Sequence, residues 1–554
     1  MATVILAAAG GAIGAGIGGT VLGVSSAVIG QAVGATIGAS IDARGVSGGS
    51  ASVNTGEIST ARLSHTPEGS TLPWVVGQTR VTGRLIWSTR FKETVQKTKT
   101  KVGDGKSASR ITESSYSYSV SFAVALAEGE VSRIGRIWLD GQIMRKDRVS
   151  FRFYTGTETQ SPDPLIEIKE GNEDAPAYRG VAYLVFEDLP LAAYGNRIPT
   201  VSCEVFRKPV CEADAEVSPM ERVKGVALIP GTGEYSLATQ QVKLRYGPGS
   251  ADVMNVNTDE RRADIHVALD GLAAELPSVS STLLVVSWFG TDLRAGSCQV
   301  MPKVEQTDFD GEPHQWQVSG VPRAAAAVVS KTGGRVNFGG TPDDRSVIEA
   351  IAELKARGQK VVFYPFILMD IPEGNALPDP YGGAEQARFP WRGRITSDIA
   401  AGSAGSTDGT AAASAQVSAF MGPAVPGDFA ASSGVPVYAG SDWGFRRMVL
   451  HYAMLCDLAG GVDAFCIGSE LRGLTQVRDQ NDAYPMVAAL KALAADVRAI
   501  LGPDTKISYA ADWSEYFGHQ PDDGSGDVRY HLDPLWSDPD IDFVGIDNYF
   551  PLSD

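Results

Sequence analysis

The chain of 554 residues is too long for one ordinary domain, and about three or four are expected from its length. With 43% hydrophobic and 20% charged residues it has the composition of a soluble globular protein, and its net charge of −17 argues against a general nucleic-acid-coating role while leaving room for a local basic groove. Five scattered cysteines without a CxxC pair argue against a disulfide framework or zinc ribbon, and six histidines without HExxH-like spacing recommend no metal or cofactor.

Residues 1–43 form a Gly/Ala-rich apolar segment whose first charged side chain is Asp42. Glycines recur at helical spacing, at Gly10, Gly14 and Gly18 and again at Gly30, Gly34 and Gly38. Small residues four apart make one smooth helical ridge, so this zipper is expected to contact a membrane or another helix through residues 1–41. Its length suits one spanning helix or two short helices broken near Gly23–Ser26. The plainer alternative is a flexible or internally packed segment. Gly14, Gly16 and Gly19 match GxGxxG, with Asp42 where a ribose-binding acid would fall. The repeat runs past the motif and no βαβ context follows, which disfavours dinucleotide binding.

Residues 44–57 read as a Gly/Ser linker, and 58–257 as a β-rich domain. Tyr116, Tyr118, Val120, Phe122, Val124 and Leu126 alternate with Ser and Ala at a strict period of two. Ile134–Leu139 reads as a second strand, ended by the Asp140-Gly141 turn, and Val181–Phe186 and Ile198–Phe206 as two more. Trp74, Trp87 and Trp138 are expected in the core or in strand pairs. The stretch 223–256 still looks β-rich.

From residue 258 to 554 strands alternate with helices, the pattern of a parallel α/β sheet. Asp259–Leu276 is expected to be a helix, and Thr282–Phe289 the first barrel strand. The second falls at 324–330 or 336–339, and Pro342–Ala356 is the next helix. Gln359–Leu368 is the third strand, ending at Asp370, and a long insertion over 371–440 follows. It holds a Pro- and aromatic-rich stretch and a low-complexity Ala/Ser/Gly run. Asp442–Ala459 is a helix, Val462–Ile467 the fourth strand, and Pro485–Ile500 another helix. Thr505–Ala511 is the fifth strand, followed by Asp512, and Ile541–Ile546 the sixth, followed by Asp547. The fold class is therefore multidomain: a β-rich domain plus a (β/α)8 barrel of which strands one to six are present. A closed barrel needs two more βα units, so this reads as the front part of a longer protein, or as one whose remaining units are supplied otherwise.

Glu470 stands where the fourth strand emerges, the position at which α/β barrels keep their chemistry. Asp512 and Asp547 are candidates for orienting a sugar hydroxyl or acting on Glu470 by like-charge proximity. Asp370 with Trp288, Trp443 and Trp513 are candidates for carbohydrate contact, as is Trp391, since aromatic rings stack on sugars. Each acid has a structural alternative as a turn or cap residue, and each tryptophan as a packing residue.

Three blocks carry a resemblance. AYRGVAYLVFEDLPLAAYGNRIP (Ala177–Pro199) resembles the tail hub domain of long-tailed phages and gene transfer agents. VVSWFGTDLRAGSCQVMP (Val285–Pro302) and KARGQKVVFYPFILMDIPEGNALPDPYGG (Lys355–Gly383) resemble the glycoside hydrolase TIM-barrel-like domain of their large baseplate protein. The resemblance implies a tail-tip hub on the tail axis of a phage-like particle, made in the bacterial cytoplasm and present as a homotrimer. Its partners would be other tail and baseplate proteins, with DNA only as passing cargo. FCIGSEL and VGIDNYFPL also resemble retaining glycosidases, which implies Glu470 as general acid/base and a nucleophile after a seventh strand. Three functions compete: a structural hub that helps penetrate the envelope, a glycoside hydrolase acting on surface polysaccharide or cell wall, and a non-catalytic adhesin binding a host glycan.

Overall fold

Two units divide the chain, Met1–Val210 and Cys211–Asp554. The computed structural model describes residues 71–102, 109–171, 173–208, 222–230, 233–258, 260–521 and 523–549, with short strands at Thr20–Val21, Val24–Ser25 and Ala51–Thr55. The zipper glycines Gly10, Gly14, Gly18, Gly30, Gly34 and Gly38 lie outside the described residues. Thr20–Val21 pairs antiparallel with Val24–Ser25. No helix of the described residues is long and apolar enough to cross a membrane.

The first unit is β-rich, as its alternation predicts. Its central strand, Ser109–Glu128, pairs antiparallel with Lys92–Val102, Arg84–Ser88 and Val181–Pro190. A second sheet runs in the order Gly77–Thr82, Val201–Arg207, Arg133–Leu139, Gln142–Ile143. Tyr118, Val120, Phe122, Val124 and Leu126 all point into one core with Ile137, Leu184 and Val205. Phe122 stacks on Phe186 at 4.8 Å between ring centroids. Burying each such ring contributes about 1.5–3 kcal/mol, and a one-residue slip would turn the whole set outward. Two expectations need correction. The 44–57 linker contains a strand, Ala51–Thr55, because the long central strand leaves a free edge that pairs with it in parallel. Trp74 is not core: it precedes the first sheet strand, is 66% exposed, and lies under the Arg207 guanidinium at 4.2 Å.

The second unit is organised by six parallel strands: β1 (Gly225–Leu228), β2 (Ser281–Gly290), β3 (Lys360–Met369), β4 (Ala464–Ser469), β5 (Lys506–Asp512) and β6 (Gly545–Asp547). They lie side by side in that order. The barrel unit therefore begins before residue 258, because the stretch 223–256 supplies β1 to its edge rather than a strand to the first unit. β2, expected as the first strand, is the second. No strand forms at 324–330 or 336–339 within the sheet, since β2 and β3 pair directly over ten residues from Ser281↔Lys360 to Gly290↔Met369. Those segments instead make two-residue pairings in an excursion above the sheet. One strand missed and one misplaced cancel, so Glu470 does follow the fourth strand.

Helices cover the outer face: α1 (Asp264–Glu275), α2 (Asp344–Ala356), α3 (Ala411–Met421), α4 (Phe445–Leu458) and α5 (Pro485–Leu501). Asp343 caps α2 by accepting the N–H groups of Arg345 and Ser346, at 3.0 and 3.3 Å. α3 begins inside the low-complexity run: Ala413, Val417 and Phe420 are buried, and Phe420 stacks on Phe445 at 5.5 Å. The insertion is thus folded onto the main core. Val285, Tyr364, Cys466 and Ala510 form a smaller cluster on the opposite face, between the strands. Cys456 and Cys466 are buried free thiols.

Candidate functional site

The site is prepared by an irregularity in β4. Cys466 pairs with Ser508 and Ser469 with Ala510, so β4 carries one residue more than β5 over this interval. Such a bulge re-aims the side chains beyond it. Gly468 makes the local path possible: a Cβ there would meet the Phe445 ring at 2.8 Å. Glu470 follows with φ +49°, in the left-handed region that a glutamate occupies only when its surroundings hold it there. Its N–H is fixed by the Ala510 carbonyl at 2.9 Å, and the next N–H, of Leu471, by the Tyr509 hydroxyl at 2.7 Å.

The Glu470 carboxylate is buried yet fully engaged. The Trp391 indole N–H donates to Oε2 at 2.5 Å, and the Tyr549 hydroxyl donates to Oε1 at 3.0 Å. Arg392 Nη2 lies 3.1 Å from Oε2. Arg392 is itself clamped: its guanidinium stacks over Phe366 at 3.9 Å and donates to the Ser469 hydroxyl and carbonyl. Both insertion residues reach the site because Gly393 has no side chain; a Cβ there would stand 2.3 Å from the Trp391 ring.

Asp547 completes the group. Its Oδ2 accepts from the Tyr364 hydroxyl at 2.5 Å and lies 3.9 Å from Arg392 Nη2. Burial, offset by the Tyr364 hydrogen bond but reinforced by the adjacent Glu470 carboxyl, pushes Asp547 up to about 6. Burial beside Glu470 likewise pushes the Tyr549 phenol up to about 12. Two acids, one arginine and four aromatic groups therefore meet in one knot at the carboxyl ends of β4 and β6, with Glu470 and Arg392 buried and Trp391 and Tyr549 reaching the surface.

The other predicted residues do not join it. Asp512 turns back on its own chain, accepting the Ser514 N–H at 3.0 Å and forming a reciprocal cap with Glu515 on the short helix Trp513–Tyr516. Asp370 holds Lys303 at 2.7 Å and the Ser330 N–H at 2.9 Å, pinning the excursion over β2 and β3. Trp288 is fully buried, edge-on to Trp443 at 6.0 Å, and presents no face to a sugar. Trp443 is half-buried under Arg447 at 3.7 Å, in a separate depression lined by Gly296–Gln299 and Gly422. Trp513 stands exposed at the end of β5. Arg392, Tyr364 and Tyr549 went unnoticed in the sequence. Tyr549, two residues beyond Asp547, was the one with a local signal. Among the described residues no group of three His, Cys, Asp or Glu side chains is placed to hold a metal ion.

Parallel strands alternating with helices, with an acid where the fourth strand emerges, define the second unit as TIM-barrel-like. Its residues 443–554 match the GTA TIM-barrel-like domain family. Among solved structures, a chain of the virion of a native gene transfer agent particle is 40% identical over 37% of this chain and 44% of that chain, with a TM-score of 0.24. The match thus spans less than half of that chain. A GH113 β-1,4-mannanase is 15% identical over 60% of this chain and 63% of its own, with a TM-score of 0.26. The GH113 β-mannanase AaManA from Alicyclobacillus acidocaldarius, in complex with ManMIm, is 14% identical over 49% of this chain and 51% of its own, with a TM-score of 0.22. No curated protein matches the chain.

Proposed function

We propose that the chain is a structural component of a gene-transfer-agent-type particle, located at the tail tip as part of the baseplate hub. There it joins the tail tube to host-recognition parts and assists envelope penetration and DNA delivery. The observation that carries this reading is the match of residues 443–554 to the GTA TIM-barrel-like domain. Gold-labelled antibody against the chain, applied to purified particles, is expected to mark the distal tail end. Particles that bear no label overturn the assignment.

A second reading concerns the barrel alone: its mouth is a glycan-binding surface rather than a hydrolase. Glu470 and Asp547 face the same Arg392 Nη2, at 3.1 and 3.9 Å, and the Glu470 carboxyl adds to the burial that raises the affinity of Asp547 for a proton. Both Glu470 oxygens are also occupied as acceptors. With its oxygens held by Trp391, Arg392 and Tyr549, Glu470 positions aromatic groups rather than facing a glycosidic oxygen. Release of reducing ends from capsule or cell-wall polysaccharide is therefore expected to be absent in both the parent and Glu470→Gln. Activity in the parent that disappears in the variant restores the hydrolase.

A further inference from the structure

Trp391 has a second environment. Besides donating to Glu470, it borders an open cleft of about 450 Å³ shared with Tyr381, Arg394, Arg472, Gln476 and Gln520. That volume lies within the range of about 300–1,000 Å³ typical of small-molecule sites. Trp391 is 38% exposed and Tyr381 is 40% exposed, so both offer ring surface to a ligand. Arg394 stacks over Tyr381 at 4.3 Å, while the Tyr381 hydroxyl donates to the Arg394 carbonyl at 3.0 Å, which fixes the pair.

The charge of this cleft runs against that of the chain. No Asp or Glu lines it, in a protein of net charge −17. Among the described residues no carboxylate pairs with Arg394 or Arg472, whereas Arg392, Arg294, Arg323 and Arg478 are all paired. The acids nearest the rim are committed elsewhere. Asp379 accepts the N–H groups of Tyr381 and Gly383, and Asp408 and Asp523 hold Arg478 at 2.8 and 3.1 Å. His519 is held below its ordinary pKa by burial and by Arg478, so it adds a neutral hydrogen-bonding edge rather than charge.

We propose that this cleft binds an acidic saccharide: a carboxylate-bearing sugar whose apolar ring face rests on Tyr381 or Trp391 and whose carboxylate is taken by Arg394 and Arg472. Two guanidinium groups suit a carboxylate, and exposed aromatic rings suit the flat C–H face of a pyranose. A nucleic-acid strand shares the charge and the flat groups. It would also need a basic track beyond the cleft, which the overall acidity opposes. The proposal rests on the glycan-binding reading of the barrel mouth and names its ligand class.

Calorimetric titration of the full chain with hexagalacturonate, mannohexaose and a six-nucleotide oligothymidylate, at low and moderate salt, tests it. Hexagalacturonate is expected to bind at least tenfold more tightly than mannohexaose. Arg472→Ala, at an exposed position where circular dichroism should report an unchanged fold, is expected to remove that preference. Equal binding of both sugars, insensitive to Arg472→Ala, overturns the acidic preference but keeps the glycan reading. Binding of neither sugar overturns both, and preferential capture of the oligothymidylate assigns the cleft to nucleic acid instead.

Discussion

The neighbouring strands β4 and β5 both end in a buried acid, Glu470 and Asp512, and the two ends are built on opposite plans. Asp512 is satisfied within three residues by Ser514 and Glu515, and caps a helix turn. Glu470 is satisfied by Trp391, Arg392 and Tyr549, each 78 or 79 residues away in sequence, and its backbone sits at φ +49°. A short-range partner set is what any chain turn supplies. A strained acid whose partners are imported from an insertion and from the far side of β6 has been assembled for something other than chain reversal.

Removing the imported cation is expected to have the largest effect. Arg392→Ala leaves Glu470 and Asp547 together without their shared guanidinium, and breaking such a buried pair costs about 3–5 kcal/mol. Chemical denaturation of the second unit reads this directly, and the added change Glu470→Gln is expected to recover part of the loss. An Arg392→Ala variant as stable as the parent would mean that the knot does not depend on the insertion.

The β5 end is expected to report itself through pH. Glu515 is fully buried beside Tyr509, Thr475 and Asp512, and burial pushes it from 4.5 up to about 7. Between those values the folded state holds a proton that the unfolded state has released. Its stabilising contribution is therefore complete below the ordinary carboxylate pKa and lost as pH rises through about 7. The loss is on the order of 3 kcal/mol. Against Glu515→Gln, which cannot ionise, the parent should lose that much between pH 4.5 and 8. Parallel profiles would remove the buried-acid account of this strand end.

How far these plans were legible depended on the range of the interactions. The period-two run from Tyr116 to Leu126 and the helices α2, α4 and α5 were readable because they depend on local spacing. Glu470 was readable as a strand-end acid. What chose it over Asp512 was not, because Arg392 lies far off in a stretch that showed only its Pro and aromatic content. β1 was missed for a related reason: four residues, Gly225–Leu228, are too few for periodicity, and only parallel pairing with β2 makes them a strand. Trp288 looked like a loop-end aromatic, but the length of β2 carries it into the core, against Trp443 and Tyr452.

The smallest effect isolates the capping role most cleanly. Asp512 accepts the Ser514 N–H at 3.0 Å, and its own N–H donates to Glu515 at 3.2 Å. Asp512→Ala removes the first bond and should cost about 1 kcal/mol, while Asp512→Asn, an equally good cap, should stay within a few tenths of the parent, or about 0.3 kcal/mol. Neither change touches Glu470, Trp391 or Arg394, so hexagalacturonate binding should match the parent in both. If Asp512→Ala instead abolished binding while the denaturation midpoint held, the strand-five acid would belong to the ligand site and the division between the two strand ends would fail.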